Sequence, residues 1–247
     1  MKISKQEVAL VDHMGSDLSV VNAARVSFHK TSYYDECVWI DPPTGETVES
    51  ATAKGWPVRH VTVPRLKAED VKLINYLARH NHWTPFGHTS LSFRIKAPIF
   101  VARQLGKHQV GLVWNEVSRR YVDDEPEFFL PETYRQKAAN VKQGSSDTAV
   151  PTSSLLLKYA AAHYEECLDM YNEALEAGVC AEQARMLLPQ SMMTEWIWTG
   201  SLAAFARVVN LRRDQHTQEE TREIAHKIYA SLCTVYPTST AALLPMG

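Results

Sequence analysis

The sequence predicts a single α+β domain with a helical second half, and three observations carry that expectation. Strand-type patterns occur only in the first half, in short runs separated by turn residues. Helical periodicity dominates from about residue 155 onward. There is no internal repeat, and no linker clean enough to divide the 247 residues into two domains. A chain of that length can bury a substantial core.

The elements follow in order. Ser19 to Ala24 can begin a short helix that ends over Arg25-Val26-Ser27-Phe28. Between Cys37 and Glu49, the β-prone runs CVWI and ETVE flank Asp41-Pro42-Pro43-Thr44-Gly45, the composition of a hairpin with a Pro/Gly turn. From Lys67 to His80, Val71, Ile74, Leu77 and Ala78 recur at helical spacing. Thr89 to Lys96 places Leu91, Phe93 and Ile95 on one face of a half-buried strand. Pro98 suits the first turn of a helix running to about Gly106. Lys137 to Ser154 is rich in small and polar residues and is expected as a mobile loop.

Leu155 to Ala177 carries Leu156, Tyr159, Ala160, Tyr164, Leu168, Tyr171 and Leu175 on an apolar face, with Gly178 as its cap. Ala181 to Leu188 is a short helix stopped by Pro189, and Ser201 to Arg213 is another, apolar at Leu202, Phe205, Val208 and Val209. Thr217 and Glu220 have the spacing of a capping box for a last helix reaching Val235 before Pro237.

Composition narrows the function. Hydrophobic content of 45% with 22% charged residues excludes global disorder. A net charge of −2 argues against a protein that coats nucleic acid. The N-terminal residues contain no apolar core long enough for a signal peptide, and the longest apolar stretches, such as Pro98-Ile99-Phe100-Val101-Ala102, fall far short of a membrane span, so a cytoplasmic protein is expected. Cys37, Cys167, Cys180 and Cys233 have neither zinc-ligand nor disulfide-scaffold spacing.

The charge is unevenly spread. Arg103, Lys107, Arg119 and Arg120 face a single acid, Glu116, within Arg103–Arg120, interleaved with Gln104, His108, Gln109, Asn115 and Ser118. Arg207, Arg212 and Arg213 form a second cluster with no acid. Such clusters make either a solvated helix face or an anion site, where arginine's forked donors match phosphate. No G-x-G-x-x-G, Walker or G-x-S-x-G motif occurs. His80, His82 and His88 lack a Cys or a well-spaced carboxylate to complete a metal site, so no metal is expected.

The run KHQVGLVWNEVSRRY, Lys107 to Tyr121, resembles the signature R-H-R-x-x-S-x-N-E-x-S-x-R-Y of flavin-dependent thymidylate synthases. RIKAPIFVARQ (Arg94–Gln104), HWTPFGH (His82–His88), AARVSF (Ala23–Phe28), EQARMLLP (Glu182–Pro189) and NLRRDQH (Asn210–His216) are similar to other blocks of that family, in the same order. The segments at about 37–56 and 137–154 lie outside the resemblance and are expected as surface insertions in one domain spanning 1–247.

The resemblance implies an α+β fold with a small antiparallel sheet and a helical C-terminal half, assembled as a homotetramer with active sites between subunits. It implies reductive methylation of dUMP to dTMP, with methylenetetrahydrofolate as one-carbon donor and NADPH-reduced FAD as hydride source. By motif position, Gln104, Lys107, Glu116, Ser118, Arg119, Arg120, Arg185 and Arg212 would hold dUMP, Arg185 coming from a neighbouring subunit. Ser27, Thr84, Lys107, His108 and Glu116 would lie along the FAD. Arg212 would be the catalytic group, stabilising negative charge that develops at the N3/O4 edge of the uracil.

Departures fall on the flavin side. Lys107 replaces the first signature Arg and Gln109 the second, and one extra residue separates His108 from Asn115, so the loop between them must bulge. Gly87 stands in place of an acid, and Ser201, Ala203 and Arg207 stand where Asn, Arg and Asn are usual. Arg207 can restore the charge missing at Ala203, because residues four apart share a helix face. Two alternatives remain: a pyrimidine-nucleotide C5 hydroxymethylase, and a non-catalytic nucleotide- or RNA-binding module. The second is disfavoured because aromatic residues do not interleave with Arg and Lys as in a single-strand platform.

Overall fold

The computed structural model describes residues 1–39, 62–121, 124–138 and 145–245. In chain order the strands are β1 (Lys2–Ile3), β2 (Glu7–Met14), β3 (Asp35–Trp39), β4 (Thr62–Arg65), β5 (Ser90–Pro98), β6 (Leu112–Glu116), β7 (Glu127–Phe128), β8 (Arg135–Lys137), β9 (Ser145–Ala149) and β10 (Met193–Ser201). The helices are α1 (Asp17–Arg25), α2 (Ala68–Arg79), α3 (Thr84–Gly87), α4 (Ile99–Leu105), α5 (Ser153–Glu176), α6 (Ala181–Ala184), α7 (Leu202–Arg212), α8 (Glu219–Val235) and α9 (Pro237–Leu243). Contacts divide the chain into two compact units: Met1–Met14 with Ser90–Thr234, and Gly15–Thr89 with Val235–Gly247.

The first unit is built on an antiparallel sheet of order β2-β5-β10-β6. Leu91, Phe93, Ile95 and Ala97 of β5 are wholly buried, as its alternation predicts. Its neighbour β10 corrects the expectation of a purely helical second half, because Trp196 and Trp198 point inward at period two while Ile197 stays exposed. Phe205 of α7 stacks edge-on against Phe93 and Trp198, with ring centroids 4.9 and 5.4 Å apart, so α7 packs directly on the sheet.

Several local expectations are revised. Pro98 ends β5 and caps α4 with extended backbone (ψ 152°) instead of entering its first turn. On α5, Tyr164, Leu168 and Tyr171 are buried with Phe128, Ala184 and Met192, whereas Leu156, Tyr159 and Leu175 of the expected face are exposed. Gly178 (φ +88°) follows α5 in a Schellman arrangement: the Val179 N–H bonds the Ala174 carbonyl and the Gly178 N–H that of Leu175. The expected loop at Lys137–Ser154 contains the strand β9, paired antiparallel with β8, and the start of α5.

The capping box is also absent. Gln218 receives the N–H groups of Thr221 and Arg222 at the start of α8, while Thr217 Oγ1 donates to the Leu211 carbonyl. Glu220 is drawn instead into an ion pair with Arg135, at 2.8 Å.

The second unit packs α1, α2, α3 and α9 around Val20, Val21, Ile74, Leu77 and Phe86. Buried Asp70 accepts hydrogen bonds from Arg25 and from the Ser32 hydroxyl, which ties the segment after α1 to α2. Helix α8 ends at Val235, before Pro237, as expected, but it is not the last: Pro237 opens α9 as a first-turn proline. Asp17 accepts the Thr238 and Ser239 N–H groups at 2.8 and 2.9 Å, an anion at the positive end of that helix. In the expected hairpin, β3 contains Cys37–Trp39 and pairs with β4, Val38 opposite Val63; the ETVE arm and its turn lie outside the described residues.

Candidate active site

Three neighbouring pieces of the first unit carry most of the expected site. Helix α4 delivers Gln104, the connection Gly106–Gly111 delivers Lys107 and His108, and β6 ends on Glu116. The connection closes as a turn in which the Leu112 N–H bonds the Gln109 carbonyl. Gly111, at φ +75°, takes the left-handed third position, a conformation that costs glycine little.

The turn has a fitted seat. A Cβ on Gly200 would fall 2.6 Å from the Gly111 carbonyl oxygen and 2.5 Å from Leu112 Cδ2, so β10 needs a glycine there. Arg207 of α7 donates from Nη2 to the Val110 carbonyl at 2.7 Å. The extra residue of the signature loop is therefore held from below by Gly200 and from the side by Arg207. Ser201 caps α7 by accepting the Ala204 N–H, and Ala203 is buried, so Arg207 is the charged group at these three departures.

The two basic clusters meet. Arg212 Nε donates to His108 Nε2 at 2.9 Å, across 104 residues of sequence. Acceptance at Nε2 requires neutral imidazole with its proton on Nδ1. Burial, reinforced by the Arg212 charge, lowers the His108 pKa, which favours that state. Burial likewise pulls Arg212 below its ordinary value, from so high a start that it stays cationic.

Two cavities adjoin this pair. One, of about 930 Å³, is lined by Phe100, Gln104, Phe129, Ser191, Asn210 and Arg212 among others. Gln104 Oε1 and Ser191 Oγ are buried on its lining residues without a hydrogen-bond partner. The other, of about 350 Å³, is lined by Ile99, Ala102, Arg103, His108, Leu112, Trp114 and Glu116. Its walls are mixed, apolar at Ile99, Ala102, Leu112 and Trp114 and polar at Arg103, His108, Gln109 and Glu116.

Glu116 is fixed in this second cavity. Thr194 Oγ1 donates to its Oε1 at 2.6 Å and Trp114 Nε1 to its Oε2 at 3.1 Å. Trp114 stacks on Trp196 at 4.2 Å between ring centroids. Past β6, Ser118 Oγ accepts from Arg120, and Arg119 donates to the Asp124 carbonyl. Arg120 lies 3.7 Å from Glu182, whose carbonyl accepts from Arg185 Nε at 3.2 Å, so both exposed arginines gather near one acid. Ser27, on the Val26–Phe28 turn, and Thr84, first in α3, are exposed in the second unit. Sequence reading missed Ser191 and Thr194; recognising β10 by its Trp-Ile-Trp alternation would have brought Thr194 beside Glu116.

Among the described residues no three His, Cys, Asp or Glu side chains could hold a metal ion, and no helix is long and apolar enough to cross a membrane. The sequence profile described as "Thymidylate synthase complementing protein" matches residues 9–238. The chain belongs to the flavin-dependent thymidylate synthase family. It is 35% identical over 231 residues to the flavin-dependent thymidylate synthase of Thermosipho melanesiensis, covering 92% of this chain and 85% of that one. It is 34% identical to that of Thermus thermophilus, over 97% of this chain and 76% of that one. Among solved structures, the UMP/dUMP methylase PolB from Streptomyces cacaoi, bound with 5-Br dUMP, superposes with a TM-score of 0.77 at 27% identity, covering 100% of this chain and 98% of that one. The same methylase bound with 5-Br UMP gives a TM-score of 0.75 at 26% identity, covering 97% and 93%.

Proposed function

We propose that this chain methylates dUMP at C5 to give dTMP, using methylenetetrahydrofolate as the one-carbon donor and NADPH-reduced FAD as the hydride source. The observation that carries this reading is the meeting of both basic clusters at Arg212 and His108, beside unpartnered Gln104 and Ser191, in a chain of this family.

The nucleotide half of the site draws on Gln104, Lys107, Glu116, Ser118, Arg119, Arg120 and Arg212, with Arg185 supplied by a neighbouring subunit of a homotetramer. Arg212 is the catalytic group: with Nε occupied by His108, its two Nη groups remain to meet the uracil edge, where negative charge grows as C5 becomes nucleophilic. Ser118 acts as a ligand to substrate rather than as a nucleophile, because its hydroxyl already accepts from Arg120. A flavin would be held by Ser27, Thr84, Lys107, His108 and Glu116, and supplies, when bound, the hydride that completes the methyl group. Glu116, held by Thr194 and Trp114, stays oriented on the polar side of that cavity. Free dUMP and reduced folate as substrates suit a cytoplasmic enzyme.

A second reading, methylation of UMP, is favoured by the likeness to PolB over nearly the whole chain. Both readings are tested by comparing kcat/KM for dUMP and UMP, after recording the visible spectrum of the purified chain with and without added FAD. A flavin spectrum and preference for dUMP support the first reading. Preference for UMP supports the second, and failure to take up flavin rejects both.

A further inference from the structure

His108 touches Arg212 through the nitrogen farthest from its own backbone, and the loop that carries it is anchored to the same helix a second time, by Arg207 on the Val110 carbonyl. Helix α7 thus holds the signature loop at two points, five residues apart along α7. A guanidinium whose Nε is engaged keeps its plane fixed, while one bonded only through Nη can swing about its stem.

We propose that His108 is a positioning residue, which through Nε2 fixes the plane of the Arg212 guanidinium and aims its Nη groups into the cleft, and which does so only while its imidazole is neutral. The proposal rests on the reading that Arg212 polarises the pyrimidine. Protonation would turn Nε2 from acceptor to donor and set it against the Arg212 charge. Facing the imidazole are Arg212 of α7, bonded to it, and Arg103 of α4 and Glu116 of β6, which share its cavity; Lys107 adjoins it in the chain, and Arg207 of α7 holds its loop at Val110. Thr194 and Trp114 hold the Glu116 carboxylate without neutralising it, so a single acid stands among several cations, and the cation bonded to the ring itself, Arg212, opposes a second positive charge. Burial and the Arg212 charge both move the histidine in that direction.

The test uses the full chain at saturating FAD, with His108→Leu and His108→Gln compared against wild type across pH. Gln places an acceptor oxygen at nearly the reach of Nε2, while Leu removes the acceptor and retains bulk. His108→Leu should lower kcat about 10- to 100-fold, the scale of a misaligned reacting group, with KM for dUMP changed only a few-fold. His108→Gln should recover most of kcat and lose the acidic limb that wild type shows as pH falls through the depressed histidine pKa. Unchanged kcat in His108→Leu, equal loss in both variants, or an acidic limb persisting in His108→Gln would overturn the proposal.

A second readout does not need turnover. In side-chain ¹⁵N spectra, Nε2 of His108 should be unprotonated at neutral pH, and Arg212→Ala should raise the pH at which His108 titrates. A protonated Nε2, or a titration indifferent to Arg212→Ala, would contradict the contact. A wild type inactive on dUMP would reject the functional reading, leaving these spectra to decide on the contact itself.

Discussion

Arg212 is cationic, half-buried and bonded at Nε to His108, and it lines a cleft together with Gln104 and Ser191. Replacing it with Ala should lower kcat about 10²- to 10³-fold, the usual cost of losing one donor to developing charge, while leaving the thermal midpoint nearly unchanged. Steady-state kinetics beside a melting curve check both halves. Glu127 makes a contrasting case, because its role is structural. Burial alone would raise its pKa, but hydrogen bonds from Lys2, Lys96 and Ser4 outweigh burial and hold it at about 2. A carboxylate depressed in the folded state stabilises the fold above its ordinary pKa near 4.3 and loses that contribution as pH falls toward the depressed value. Melting curves between about pH 5 and pH 2 should therefore show a steep loss of midpoint that is smaller in Glu127→Gln.

At the scale of elements, two glycines separate steric from conformational cost. Gly200 is pressed against backbone at 2.6 Å, so Gly200→Ala must move either β10 or the Gly111 turn and should cost about 1–3 kcal/mol. Nothing lies within 4 Å of a Cβ on Gly178, so Gly178→Ala carries only the left-handed penalty, about 1–2 kcal/mol. Urea titrations of both variants measure this, and Gly200→Ala should in addition disturb catalysis, because the turn it supports carries His108. The helices α2, α5, α7 and α8 were legible because a periodic apolar face is a long, redundant signal. The strands β6 and β10 were not. β6 is short and reads as part of a basic cluster, and the apolar run of β10 sits among helices where only pairing with β5 settles its state. The helix that Pro237 opens and the role of Thr217 were hidden for the same reason: a proline or a hydroxyl carries two local meanings, and tertiary partners choose between them.

Across the whole molecule, the net charge of −2 conceals two arginine-rich segments about 100 residues apart in sequence that fold into contact at Arg212 and His108. Motif order made that meeting predictable, since both segments belong to blocks of the family. The way the extra signature residue is absorbed was not predictable, because it depends on Gly200 and Arg207, which no local pattern connects to Val110. The unusual loop still serves a working flavin-dependent synthase. The most direct measurement incubates the chain with dUMP, methylenetetrahydrofolate, NADPH and FAD, omits each in turn, and identifies the nucleotide product by mass. The complete mixture should give dTMP, and none should form when either FAD or the folate is left out. A hydroxymethylated nucleotide, or dTMP formed without flavin, would contradict this.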